Sequence, residues 1–261
     1  MRSIPAIAAI VADALHEPPQ RAWRIATRSH LDAARRSREG MRCLAQLARG
    51  DDRALRASAA ETKQLEAFAD YVASEPAPKL VFAIHAGSFL VNAIKALIAA
   101  PAGVCAHVPV PARSLAALEG VTRFAAAHDK RVRFHPIKTG AALLLRQVVD
   151  RNDLVFILVD LGAEYGRTSA QTLFGAPAHL VRGPYVLARR LGASVVWLDS
   201  TPTLSFSGPF DDCTRRDVPA ADVLGRHFAA RIEATIRRDP AAWARWHTLP
   251  ALRRHAASQS C

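Results

Sequence analysis

The sequence predicts an α/β fold, with a largely parallel central sheet, helices on both faces, and a helical N-terminal segment. Three observations carry this. Short, continuous apolar runs such as Leu80-Val-Phe-Ala-Ile84 and Leu154-Val-Phe-Ile-Leu-Val159 recur along the chain; runs without polar alternation mark strands buried on both faces. Helical patterns of roughly 8–13 residues separate the runs, which is the rhythm of β-α-β units. The chain has 261 residues, 50% of them apolar, enough to bury the core of one large α/β domain.

Residues 1–74 read as helical and rich in arginine. Arg21, Arg24, Arg28, Arg35 and Arg38 recur at spacings of three, four and seven, which gathers most of them on one helix face. The plain reading is a solvated face; the sharper one is a surface for an anionic partner. Pro76 and Pro78 break the helical pattern. From there strand and helix alternate: strand 80–84, helix 91–99, strand 104–110, helix 115–127, strand 132–136, helix 140–149 and strand 154–159. Residues 184–191 form a helix closed by Gly192 as its C-cap. Strand 194–198, a short strand at 203–206 and a long amphipathic helix at 220–237 follow. The expected division is a helical segment over 1–74 and an α/β domain over 75–261.

The net charge of +12 is carried mostly by arginine, with five lysines. Arginine suits bidentate contact with phosphate and carboxylate, so an anionic membrane surface or an acidic carrier protein fits. Nucleic acid is not an expected partner: no zinc-finger or RNA-recognition signature is present and aromatic content is 7%. Cys43, Cys105, Cys213 and Cys261 are far apart with no Cys-x-x-Cys spacing, so free thiols are expected. The apolar stretch 4–15 is short of the about 20 residues a spanning helix needs, and no small-residue cleavage site follows it. No nucleophile elbow, Walker loop or dinucleotide fingerprint occurs, the histidines show no metal-ligand spacing, and no cofactor or metal is expected.

The chemistry concentrates where strands end. His85 closes the 80–84 run at a strand-to-helix turn with Gly87 and Ser88, a position placed for catalysis in an open α/β sheet. Asp160 closes the 154–159 run and belongs to the same rim. Glu164 follows in the same turn, and Arg167 is suited to a phosphate or a developing oxyanion. Arg182 and Gly183 stand at the mouth of the 184–191 helix, where small residues let backbone amides approach an anion.

Four blocks in order resemble the lipid A lauroyl/myristoyl acyltransferase family of the lysophospholipid-acyltransferase-like superfamily. They are His85-Ala-Gly-Ser-Phe89, Asp160-Leu-Gly-Ala-Glu-Tyr-Gly-Arg167, Phe174-Gly-Ala-Pro-Ala178 with Arg182-Gly183, and Pro240-Ala-Ala-Trp243 with His247. The resemblance implies transfer of an acyl group from an acyl-carrier-protein or acyl-CoA thioester to a small-molecule or lipid acceptor. It implies His85 as general base, and Arg167, Arg182, Gly183 and Ser88 as substrate contacts. Free thiols in a reducing compartment are the default reading of the cysteines, so the cytoplasm is expected, with peripheral attachment to the inner membrane left open. The family's motif runs His-x4-Asp/Glu, and here the acid position is Leu90. Three readings stay open: Asp160 or Glu164 supplies the carboxylate, the acceptor is an amine that needs less deprotonation, or the protein is an inactive relative that binds an acyl carrier or lipid.

Overall fold

The computed structural model describes residues 3–75, 77–137, 149–150, 152–210 and 220–254. Helices α1 (Ile4–Leu15), α2 (Pro19–Leu47) and α3 (Ala59–Ser74) come first. The alternating part runs β1 (Lys79–Ala83), α4 (Phe89–Ala99), β2 (Cys105–Val110), α5 (Leu115–Ala127), β3 (Arg131–Pro136) and β4 (Leu154–Leu158). The hairpin β5 (Thr168–Leu173) and β6 (Ala176–Val181) follows, then α6 (Gly183–Leu191), β7 (Ser194–Asp199), β8 (Ser205–Ser207), α7 (Ala220–Arg238) and α8 (Leu249–Arg254). The expected helix over 140–149 lies almost wholly outside the described residues.

The sheet order is β3-β2-β4-β1-β7-β8. Every pairing is parallel except β7 with β8, as the fold class predicted. Alternate strand residues feed two cores. Leu80, Phe82, Val155, Val195 and Trp197 pack with α1, α6 and α7, whereas Val81, Ala83, Leu154, Phe156 and Val196 pack with α3, α4 and α5. This is the side-chain period of two, applied to strands with helices on both sides. β3 is one edge, and its exposed Arg131 and Arg133 blunt it against pairing with another chain.

The arginine-rich segment is built into the domain. Ala22 and Ala26 of α2 lie in the first core and Cys43, Leu44 and Leu47 in the second. At 1.5 Å per residue a helix of 29 residues is about 43 Å long, enough to pass from one face of the sheet to the other. Arg21, Arg24, Arg28, Arg35 and Arg38 are all exposed, on the opposite side of α2 from the buried alanines. Helix α3 starts at a capping box: Ser58 Oγ accepts the Glu61 N–H, and Glu61 accepts the Ser58 N–H. Gly192 closes α6 with φ 57°, as the sequence predicts. No described helix is long and apolar enough to cross a membrane.

The unforeseen element is the β5–β6 hairpin, which turns through Phe174 and Gly175 alone. Both have positive φ, 54° and 72°, as a two-residue primed turn requires. Phenylalanine is a poor residue for that conformation. Here its ring stacks on Trp246, 5.7 Å between centroids, and its N–H donates to Glu233 Oε2 at 2.6 Å.

Candidate active site

The site stands where the sheet changes direction. From β1 the chain leaves through α4 toward β2, beyond β4; from β4 it leaves toward β7, on the other side of β1. Helices α4 and α6 lie on opposite faces. The crevice at the C-terminal ends of β1 and β4 is therefore the switch point at which open α/β sheets bind ligands.

Register puts the two key residues side by side there. Ala83 pairs with Leu158, and Val159 N–H donates to Ala83 O at 2.9 Å. His85 and Asp160 each stand two residues beyond that pair. Asp160 Oδ1 is 2.8 Å from His85 Nδ1, and its Oδ2 accepts the His85 N–H at 3.0 Å and the Trp243 indole N–H at 2.9 Å. One carboxylate thus holds both backbone and ring of His85. Asp160 is 1% exposed while the His85 side chain is 22% exposed, so the ring runs from a buried anion toward solvent. With Nδ1 engaged, Nε2 is the nitrogen left for the cleft.

Burial by itself pushes the Asp160 carboxyl up. The charge of His85 and its hydrogen bond, the charge of Arg245 and the Trp243 indole outweigh that, and the group lies below its ordinary value. It is an anion at neutral pH, the form that accepts the proton on Nδ1 and leaves Nε2 to the cleft.

The histidine's backbone is clamped from the C-terminal side. Ala244 N–H donates to His85 O at 2.9 Å, Gly87 N–H to Ala242 O at 3.3 Å, and Ala86 bridges Trp243. Gly87 has φ 59°, and a Cβ there would stand 1.7 Å from Ser200 O. Gly87→Ala is expected to cost about 3 kcal/mol or more, from left-handed strain plus the displaced chain. Urea unfolding checks this, and a midpoint equal to wild type would show that the turn is looser than described.

His85 lines a cleft of about 300 Å³ roofed by α2. Ala33, Gly40, Met41, Phe89, Leu90 and Val91 make its walls largely apolar, and Arg36, Ser37 and Ser88 add polar groups. Arg36 is anchored: its Nη2 donates to the carbonyls of Ala242 at 3.0 Å and Ala241 at 3.3 Å. Ser88 Oγ donates to Glu39 Oε2 at 3.2 Å. Leu90, in the first turn of α4, packs against α2: a Cβ added to Gly40 would sit 3.4 Å from Leu90 Cδ2.

No protein-family model matches this chain, and no curated protein matches it.

The expected site residues divide. His85, Asp160 and Ser88 meet at the crevice. Glu164 is corrected: it is exposed on the turn Ala163–Tyr165, and its carboxylate pairs with Arg245 at 3.1 Å, not with His85. Arg167 and Arg182 are joined by a backbone hydrogen bond of 2.9 Å at the base of the hairpin. Both are exposed, and neither they nor the half-buried Gly183, which opens α6, line the cleft. Pro240–Ala242 is a single 3-10 turn, and Asp239 before it makes no side-chain cap. Arg36, Trp243 and Arg245 are the additions. A signal for Trp243 is present in the sequence, since a buried indole N–H needs an acceptor.

Proposed function

We propose that this protein is an acyltransferase in which His85 is the general base and Asp160 orients it. The observation that carries the reading is the 2.8 Å contact from Asp160 Oδ1 to His85 Nδ1 at the mouth of an apolar cleft. His85 Nε2 takes the proton of an acceptor hydroxyl or amine as that group attacks the carbonyl of a thioester. The C–S bond breaks, and the proton passes to the leaving sulfur as the thiol departs. Arg36, fixed in the cleft wall, faces the carbonyl oxygen as negative charge develops on it. The apolar walls take up the acyl group and exclude water, and holding both substrates together supplies much of the rate.

The donor is an acyl-CoA or acyl-carrier-protein thioester and the acceptor a small molecule or lipid, by the four-block resemblance. The exposed Arg167 and Arg182 suit the donor's phosphates outside the cleft. Leu90 removes the acid of the family motif, and Asp160 on the neighbouring strand end makes the same contact with the ring, which supports an active site over a retired one. Thiol release from acyl-CoA and acyl-carrier thioesters of graded chain length, with hydroxyl and amine acceptors, tests the reading. Acceptor-dependent release is expected; none with any pair would overturn it.

A further inference from the structure

We propose that Cys105, His107 and Asp153 form a zinc site that ties β2 to β4, at the end of the sheet opposite the cleft. Cys105 opens β2 and Asp153 immediately precedes β4, so the cluster stands at the N-terminal ends of the strands, whereas His85 and Asp160 follow the C-terminal ends. The inference does not depend on acyl transfer.

A thiol, an imidazole and a carboxylate converge here, 3%, 0% and 4% exposed, with their donor atoms all within 4.8 Å of one another. His107 Nε2 is 3.0 Å from Asp153 Oδ2. Ligands of a tetrahedral zinc at ordinary bond lengths stand about 3.2–3.6 Å apart, so donors now within 4.8 Å of one another close on the ion by side-chain rotation. The outer partners are in place. His107 Nδ1 is 2.9 Å from His135 Nε2, the kind of contact that fixes the tautomer of a metal-ligating histidine. Asp153 is held by the Asp150 N–H at 2.9 Å on Oδ2 and the Cys105 N–H at 3.3 Å on Oδ1.

Charge balance points the same way. A thiolate, a carboxylate and a neutral imidazole sum to the charge that one divalent cation cancels, so the filled site is electroneutral in a buried place. Binding takes the thiol proton off Cys105. His107 and His135 each shift a proton between ring nitrogens, so that His107 Nδ1–H donates to His135 Nε2, and a water completes four-coordination.

The location gives the site work to do. Strand β2 pairs with β3 along its whole length, whereas it meets β4 at Ala106–Leu154 and His107–Val155 alone among the described residues. Two ligands on β2 and one before β4 would cross-link this short seam.

The test uses the full chain, stripped with chelator and titrated with Zn²⁺ and with Co²⁺ as a spectroscopic probe. One metal per chain is expected, with a thiolate-to-cobalt charge-transfer band. Zinc at about 100 times its Kd should raise Tm by about 5–10 °C. Cys105→Ala should lose the band and the Tm rise while its metal-free form melts near wild type. Wild-type protein that binds no stoichiometric metal overturns the proposal, as does a band that survives Cys105→Ala. If the variant does not fold, the wild-type stoichiometry and cobalt spectrum decide alone.

Discussion

His85→Ala is expected to lower acceptor-dependent thiol release by about 10²–10⁴-fold, the range that a positioned general base contributes. The loss should fall on kcat, because the ring acts on the proton in flight while the cleft walls and Arg36 remain to bind substrate. The fold should survive. Asp160 keeps the His85 N–H at 3.0 Å and the Trp243 indole at 2.9 Å as donors, both untouched by removal of the imidazole. One hydrogen bond to a buried anion goes, a cost of about 1.5–3 kcal/mol. His85→Gln separates the two roles, since its amide can donate to Asp160 without serving as a base, so it should melt closer to wild type and be as inactive as the alanine variant. Turnover by either variant within a factor of a few of wild type would remove His85 from the chemistry.

The residues explain how much of this was readable in advance. Strands such as Leu80–Ile84 and Leu154–Val159 announce themselves because burial on both faces leaves no room for polar alternation. His85 and Asp160 are visible as the polar residues that end those runs. The choice between Asp160 and Glu164 is not, because it depends on the β1–β4 register, a long-range quantity: Ala83 opposite Leu158 brings position 160 to position 85. The hairpin at 168–181 is obscured by its Phe174–Gly175 turn, which lacks the usual first residue and is held by Trp246 and Glu233 from far along the chain. The Arg stripe shows which face of α2 meets water, but periodicity does not say that α2 reaches both cores and places Arg36 in the cleft that His85 lines. The Cys105–His107–Asp153 cluster escapes spacing rules because its third member comes from another strand end.

Asp160→Asn is the sharper test of the dyad. An asparagine cannot serve all three donors that now face the carboxylate. If its oxygen takes the His85 and Trp243 N–H groups, its amide nitrogen must donate to His85 Nδ1. That drives the imidazole proton to Nε2, the nitrogen that must be free to accept one. The expected loss is on the order of 10³–10⁴ in kcat, the scale of a wrong-tautomer histidine, at a stability cost of only about 1–3 kcal/mol. Asp160→Ala leaves the three donors without their acceptor and should cost about 3–5 kcal/mol as well as activity. Trp243→Phe removes one donor, keeps most of the packing, and should fall between wild type and Asp160→Asn in rate. The pH dependence follows from the direction of the Asp160 shift. Its carboxyl is lower in the folded protein than in the unfolded chain. Its contribution is therefore full above the unfolded value near about 4 and fades as pH falls through the folded value. The stability gap between wild type and Asp160→Asn should narrow as pH falls from about 5 through the folded value of Asp160, measured by urea unfolding across that range. A gap that instead widens below about pH 5 would mean that the carboxyl takes up its proton more readily in the folded protein than in the unfolded chain, and His85 would then lack its orienting anion.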